Sequence, residues 1–318
     1  MFRLTSVLAG TVAAICTLLS GSVLLAGETF NQPLISFVAK TDQTQQLILA
    51  DLDRDLEVAL LHSRTINAHS WSADGSQVAI MMVYSGQRGL HLLDMASGDV
   101  TFLLATARGD FVRWSDDSLQ VSFLENPYWR RVDLRTNEEV TFRSSLDENR
   151  SRSPDGQWTA SVASNQISNN TDIILTQRST RDVFRLTNNV EAADTLPRWS
   201  PDGRWLAFQR SQRIMDRRSA WYVVPVTEFI DDATQGESPV PLPAQPLTPR
   251  IPANNAQLAS MPASPWSADS MYFLFTLADV MPNQQTTANV YIVRADGTHL
   301  RQITNDPTRD DMYPVWRP

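Results

Sequence analysis

Cysteine is nearly absent from this chain of 318 residues, which has only Cys16. One cysteine cannot form a disulfide within the chain, so a small disulfide-stabilised scaffold is excluded. Lysine is also scarce, because Lys40 is the only one; arginine carries nearly all of the basic charge, and the net charge is −8. The sequence has no basic stripe with interleaved aromatic residues, and a negative field repels phosphate backbones. The sequence therefore predicts no nucleic-acid partner.

Motifs of the common enzyme classes are missing as well. The chain has no Gly-x-Ser-x-Gly nucleophile motif, no His-Glu-x-x-His metal motif and no glycine-rich phosphate loop. We therefore assign no catalytic residue and expect no cofactor. Helical periodicity is also absent after residue 30, which favours an all-β chain.

A five-residue motif, close to Trp-Ser-Pro-Asp-Gly, is the dominant feature that is present. Proline presets φ, aspartate accepts local backbone hydrogen bonds and glycine tolerates positive φ, so each copy predicts a tight turn between two strands. Recurrence of one pattern along a chain indicates a repeat architecture. The copies begin at Trp71, Trp114, Arg152, Trp199 and Trp266.

Segments rich in β-branched and aromatic residues surround each turn and give four antiparallel strands per unit, which is typical of a propeller blade. The last segment, residues 313–318, begins a sixth copy, whereas the strands near Leu34, Gln46 and Glu57 have no motif before them. Pairing of these two parts would complete a blade and remove the open strand edges. The sequence therefore predicts a six-bladed β-propeller over residues 30–318, closed by pairing of the C-terminal strand with the N-terminal blade.

The repeats resemble the WD-like propeller repeats of the TolB type. Two segments carry the resemblance. Residues 194–203 begin with Asp194 and end with Pro-Arg-Trp-Ser-Pro-Asp-Gly, and residues 304–316 are the second segment. It implies the propeller fold but little about activity, because one scaffold hosts many functions. The sequence has no room for the α/β domain that precedes the propeller in TolB, so the role of TolB in the cell envelope is not implied.

Residues 1–29 are predicted to be a signal peptide or an N-terminal membrane anchor. Residues 4–27 carry no charge and are long enough to cross a bilayer, with Arg3 before them and Glu28 after them. The positive residue keeps the N-terminus inside and exports the propeller. Two locations stay open: anchorage on the outer side of the cytoplasmic membrane through residues 4–27, or release as a periplasmic or secreted protein after cleavage.

Acidic residues mark the loops that enter several blades. We call the face of the propeller that carries the Asp-Gly turns the bottom, and the face with the entry loops the top. Asp147, Asp194 and Asp311 each stand five residues before the first motif position of their repeat, and Asp306 lies in the same entry loop as Asp311. Carboxylates around one channel mouth would attract a cation, a basic peptide or sugar hydroxyls. The alternative is that each aspartate caps its own loop.

Three histidines, His62, His69 and His91, fall near the top of the first two blades. If they converged they would support a metal site, and with it a metal-assisted carbohydrate-active enzyme. The alternative is that they share no ligand. The main prediction is instead a monomeric, non-enzymatic binding module that engages a protein or peptide through its top-face loops.

Overall fold

The computed structural model describes residues 33–318 except for 108, 126–127, 143–149, 166–167, 169, 213–218, 248–264 and 281–285. It also describes two short strands before them, β1 (Val23–Leu25) and β2 (Glu28–Phe30), which pair with each other. The predicted export segment, residues 4–27, lies mostly outside these residues. None of the helices in the described ranges has the length and apolarity that spanning a membrane requires.

Antiparallel sheets in chain order make up a six-bladed propeller, so the predicted fold class is confirmed. Blades 2 to 5 each contain four consecutive strands, numbered from the innermost outward. Their bounds are β6 (Thr65–Trp71), β7 (Gln77–Tyr84), β8 (Gln87–Asp94) and β9 (Val100–Ala105) in blade 2; β10 (Asp110–Trp114), β11 (Gln120–Glu125), β12 (Tyr128–Asp133) and β13 (Glu139–Phe142) in blade 3; β14 (Arg150–Arg152), β15 (Trp158–Ser164), β16 (Thr171–Gln177) and β17 (Val183–Arg185) in blade 4; and β18 (Ala192–Trp199), β19 (Trp205–Gln212), β20 (Ser219–Pro225) and β21 (Gln245–Pro246) in blade 5.

Within the described residues, blade 6 has three strands, β22 (Tyr272–Val280), β23 (Thr286–Arg294) and β24 (Arg301–Gln302). On its inner side, Trp266 makes an isolated antiparallel bridge to Phe273. This bridge stands where the other blades have their innermost strand. The motif at Trp266 thus keeps its position in the repeat although its strand is reduced to one described pair.

Blade 1 combines strands from both ends of the sequence. Its innermost strand is β25 (Asp310–Trp316), which pairs antiparallel with β3 (Leu34–Lys40) from Asp310 opposite Lys40 to Trp316 opposite Ile35. The blade continues with β4 (Gln45–Asp51) and β5 (Leu56–Ser63). The pairing predicted from the incomplete sixth repeat is therefore present.

The motif turns have the predicted chemistry. In the first turn the Gly75 N–H donates to the Ser72 carbonyl at 2.9 Å, and Gly75 has φ +68. The Ser72 hydroxyl donates to the Asp74 carboxylate at 2.6 Å. The same serine-to-aspartate hydrogen bond recurs at 2.5–2.6 Å in the other four turns, from Ser115, Ser153, Ser200 and Ser267.

The motif tryptophans tie neighbouring blades together. In four blades the indole N–H donates to the carbonyl of the residue just before the motif position of the preceding blade, at 2.9–3.1 Å. In blade 2 the Trp71 indole donates instead to the Ser36 hydroxyl of blade 1 at 2.8 Å. The four carbonyl contacts are Trp114 to Ser70, Trp199 to Ser151, Trp266 to Arg198 and Trp316 to Pro265.

The junction between blades 3 and 4 differs from the other five. Arg152 replaces the motif tryptophan there, and it is exposed. Five clusters of buried apolar side chains span the other junctions, and within the described residues none of these clusters joins blades 3 and 4. Because burial of apolar area dominates stability, this is the junction that we expect to be least stabilised.

One helix, α1 (Thr227–Thr234), lies between β20 and β21. Phe229 and Ala233 are one helical turn apart and join the apolar cluster between blades 4 and 5. The sequence shows no helical period after residue 30, so this helix was not predicted, although the all-β fold class was. A helix of eight residues contains only about two turns, which is too short for a clear periodic signal.

Candidate binding surface

The top face consists of the loops that join the second strand to the third within each blade, and the fourth strand to the next blade. Among the predicted mouth aspartates, Asp306 lies in an entry loop, and Asp194 and Asp311 lie among the first residues of their innermost strands. Asp147 lies outside the described residues. The other three have distinct surroundings.

Asp194 is completely buried. Its two carboxylate oxygens accept hydrogen bonds from Nε and Nη2 of Arg210 at 2.7 and 2.8 Å. The two residues stand directly opposite each other on β18 and β19. Burial raises the pKa of Asp194 above its ordinary value, and the guanidinium opposes that shift. The carboxylate therefore faces Arg210 and not the solvent.

Asp311 is also completely buried, at the start of blade 1. The Arg309 guanidinium lies 2.9 Å from its carboxylate and 2.7 Å from the Glu57 carboxylate of β5. Burial raises the pKa of Asp311 to about 7, against the opposing effect of Arg309. Arg309 thus links the innermost and outermost strands of the blade.

Blades 5 and 1 build these sites in the same way. Each buried aspartate lies beside a threonine from the preceding blade, Thr187 or Thr304. The threonine hydroxyls accept the backbone N–H groups of Ile173 and Val290 at 3.0 Å. Each of these aspartates therefore lies where one blade meets the next.

Asp306 has a local partner. Its carboxylate accepts the Thr308 N–H at 2.9 Å and the Thr308 hydroxyl at 2.6 Å. This is the loop-capping arrangement in which an aspartate binds the backbone two residues further on. Asp306 itself is half-buried.

His69 is buried between blades 1 and 2. Its Nε2 hydrogen-bonds the Ser36 hydroxyl at 2.8 Å, and that hydroxyl also accepts the Trp71 indole N–H. Burial lowers the pKa of His69 to about 3. The ring is therefore neutral at physiological pH.

His91 shares a sheet face with His69 but is separated from it by Ile80, which stands opposite both in the register. Its Nδ1 lies 3.1 Å from the Gly89 carbonyl, and its ring packs edge-on against Tyr84 and Phe102. Burial also lowers the pKa of His91.

His62 is exposed on the outermost strand of blade 1. In the part of the chain that the structure describes, no group of three or more His, Cys, Asp or Glu side chains is arranged to hold a metal ion.

Two cavities on the bottom face were not predicted from the sequence. One of about 300 Å³ lies between blades 4 and 5 beside α1, and one of about 650 Å³ lies between blades 6 and 1. Their walls combine turn residues with side chains from two blades. Spacing along the sequence does not indicate such a cavity, because the cavity depends on how two blades pack against each other.

No protein-family model matches the chain, and no curated protein matches it by sequence. Among solved structures, TolB from Acinetobacter baumannii matches 90% of this chain and 67% of its own, with a TM-score of 0.61 and 17% identity. A TolB from Agrobacterium tumefaciens matches 91% of this chain and 100% of its own, with a TM-score of 0.50 and 15% identity. The AtxE2 isopeptidase with Astexin3-dC4 bound matches 86% of this chain and 50% of its own, with a TM-score of 0.54 and 11% identity. The chain therefore has the TolB-like six-bladed propeller fold.

Proposed function

We propose that this chain is an exported propeller that binds a protein or peptide through its top face and catalyses no reaction. The observation that carries the proposal is the likeness to TolB propellers over about nine-tenths of the chain. Identities of this size concern the fold, so the partner and its binding face are part of the proposal. The acidic net charge of −8 favours a partner with a basic surface.

Rigid support beneath the top-face loops agrees with a binding role. The buried pairs Asp194–Arg210 and Asp311–Arg309 fix the first residues of two innermost strands. Loops held by a rigid scaffold are common binding sites. Under this proposal the two aspartates position the loops, and the contact with a partner involves exposed residues around them. Asp147 and Asp306 remain candidates for that contact.

Export through residues 1–29 belongs to the same proposal. We expect the propeller outside the cytoplasm, either anchored or released. Fractionation of cells that express the full chain, followed by N-terminal sequencing of the recovered protein, distinguishes these two outcomes. Recovery in the cytoplasm with an intact N-terminus contradicts export.

Charge reversal on one face at a time tests the binding surface. Asp42 and Glu191 are exposed on top-face loops of blades 1 and 5, and Asp99 and Asp182 are exposed on bottom-face loops of blades 2 and 4. Both double variants to arginine change the net charge equally. We expect capture of an envelope partner to fall for Asp42→Arg with Glu191→Arg and to persist for Asp99→Arg with Asp182→Arg. Equal capture by both variants, or loss only in the bottom variant, contradicts the proposed face.

A further inference from the structure

The cavity of about 650 Å³ on the bottom face lies between blades 6 and 1. Small-molecule sites commonly have volumes of roughly 300–1,000 Å³. The cavity is on the opposite side of the propeller from the proposed partner surface. It therefore offers a second site that is independent of the top face.

The break in the repeat explains why this cavity is wide. Between blades 4 and 5 the corresponding groove has a volume of about 300 Å³, and the blade 5 turn, from Asp202 to Arg204, forms part of its wall. Blade 1 has no such turn, because β25 and β3 come from distant parts of the sequence. Trp316 and Pro33 line the cavity at this point, and its volume is about twice that of the groove.

The inner wall of the cavity is apolar and partly aromatic. Trp316 and Ile292 are buried there, and Tyr272 is half-buried beside them. The Trp316 indole N–H is already donated to the Pro265 carbonyl at 3.0 Å. Trp316 therefore forms the buried base of this wall with its donor already used, and Tyr272 is the ring that a ligand can contact.

The rim of the cavity is polar and carries both signs of charge. Asp53, Asp269, His299 and Arg301 line it, and all four are exposed. The hydrogen bonds in the structure use only some of the polar atoms of these side chains. Asp269 accepts the Ser267 hydroxyl and the Met271 N–H with Oδ1. Arg301 uses Nη2 for the Leu52 carbonyl. Donors and acceptors are thus both present around an apolar wall.

We propose that this cavity binds a neutral carbohydrate. A sugar ring has an apolar face that packs on aromatic side chains, and an edge of hydroxyls that both donate and accept hydrogen bonds. Carboxylates at the rim accept from these hydroxyls, and Arg301 donates to them. The rim holds the carboxylates of Asp53 and Asp269 against the single guanidinium of Arg301, and this excess of negative charge disfavours an anionic ligand and leaves a neutral sugar as the favoured one.

Blocking the mouth of the cavity tests the proposal. Met271 is 44% exposed and lines the cavity, so Met271→Trp fills the opening without disturbing the core. The purified full chain is tested against an array of neutral and anionic oligosaccharides, and the affinity of the strongest binder is measured by calorimetry. We expect a neutral oligosaccharide to bind, and its affinity to fall by about tenfold or more in Met271→Trp. The same oligosaccharide should bind normally to Gln157→Trp, because Gln157 holds the equivalent position after the blade 4 turn.

Three results would overturn the proposal: no binding of any neutral oligosaccharide, a preference for anionic ones, or equal binding by wild type and Met271→Trp. If Met271→Trp does not fold, as judged by circular dichroism, His299→Ala removes a rim group at an exposed position and should weaken binding several-fold. Capture of a protein partner should be unchanged in both variants. Failure of this site and failure of the top-face proposal are therefore distinguishable.

Discussion

Arg309 places its guanidinium over the Phe37 ring in blade 1, as Arg210 places its own over the Phe208 ring in blade 5, at 5.6 and 5.3 Å. The two arginines reach these equivalent places from different segments of their blades, one from a strand and one from a loop. Arg210 stands opposite Asp194 on β19, whereas Ala39 stands opposite Asp311 in blade 1 and Arg309 approaches from the loop before β25. The repeat has kept a cation beside a buried carboxylate while changing the segment that supplies it.

This relationship predicts that an arginine placed on β3 can partly replace Arg309. At pH 8, where Asp311 is mostly ionised, Arg309→Ala should lower the free energy of unfolding by about 1–3 kcal/mol, because the buried carboxylate loses its counter-charge and must take up a proton. Adding Ala39→Arg supplies an arginine from the strand that provides Arg210 in blade 5, and we expect it to recover part of the loss. Urea denaturation of the two variants measures the effect. A double variant that is no more stable than Arg309→Ala contradicts the equivalence.

Arg152→Trp should stabilise the junction between blades 3 and 4. By analogy with the other blades, an indole at position 152 is expected to donate to the carbonyl of Arg113, the residue just before Trp114. We expect a gain of about 1 kcal/mol from the hydrogen bond, with a further gain from burial of the ring. Arg152→Phe is the matched control, since it adds an aromatic ring without the N–H. Thermal unfolding that shows no gain for tryptophan over phenylalanine would argue against an indole tie at this junction.

Protonation of Asp311 should make the protein more stable at mildly acidic pH. The pKa of Asp311 is raised from 3.8 to about 7 in the folded chain, so the folded state holds a proton that the unfolded state releases. This stabilisation is complete below about pH 4 and is lost as pH rises through about 7. Asp311→Asn cannot ionise, so its unfolding free energy should fall less between pH 4 and 8 than that of wild type. Chemical denaturation at several pH values checks this, with the exposed Asp42→Asn as control; identical slopes for wild type and Asp311→Asn would refute it.

Titration of His69 should change the stability of the protein with pH in the direction opposite to that of Asp311. Its pKa is lowered from 6.5 to about 3 in the folded chain, so the unfolded state takes up a proton first as pH falls. The corresponding stabilisation is present above about pH 6.5 and is lost as pH falls toward 3. His69→Gln keeps a hydrogen-bonding side chain beside Ser36 but does not titrate, so it should lose less stability between pH 6.5 and 4. The exposed His62→Gln serves as control, and a His69→Gln profile that follows wild type would contradict the assignment.

The repeat motif allowed much of the fold to be predicted. The turns, the sheet count and the pairing of β25 with β3 follow from local turn chemistry and from one incomplete copy. The short helix α1 was missed, because Phe229 and Ala233 are its only buried residues and two apolar positions do not establish a helical period.

The candidate site was less predictable than the fold. Equal spacing before the motif predicted that Asp194 and Asp311 hold equivalent positions, and they do. Spacing could not predict their burial, because Arg210 and Arg309 lie at different offsets from them along the chain. Spacing also could not predict whether the histidines converge. His69 and His91 lie on one face of blade 2, yet Ile80 separates them.

The amino-acid sequence by itself determined the blade and its turn, since both depend on residues within a few positions of one another. The tertiary structure alone decided which carboxylates are neutralised and where a cavity opens. The buried ion pairs depend on residues of one blade that are brought together by strand pairing, and the cavity depends on side chains from two blades that meet only after the chain has folded into a propeller. A local pattern therefore predicts the repeating unit, whereas the function of a surface depends on how the units meet.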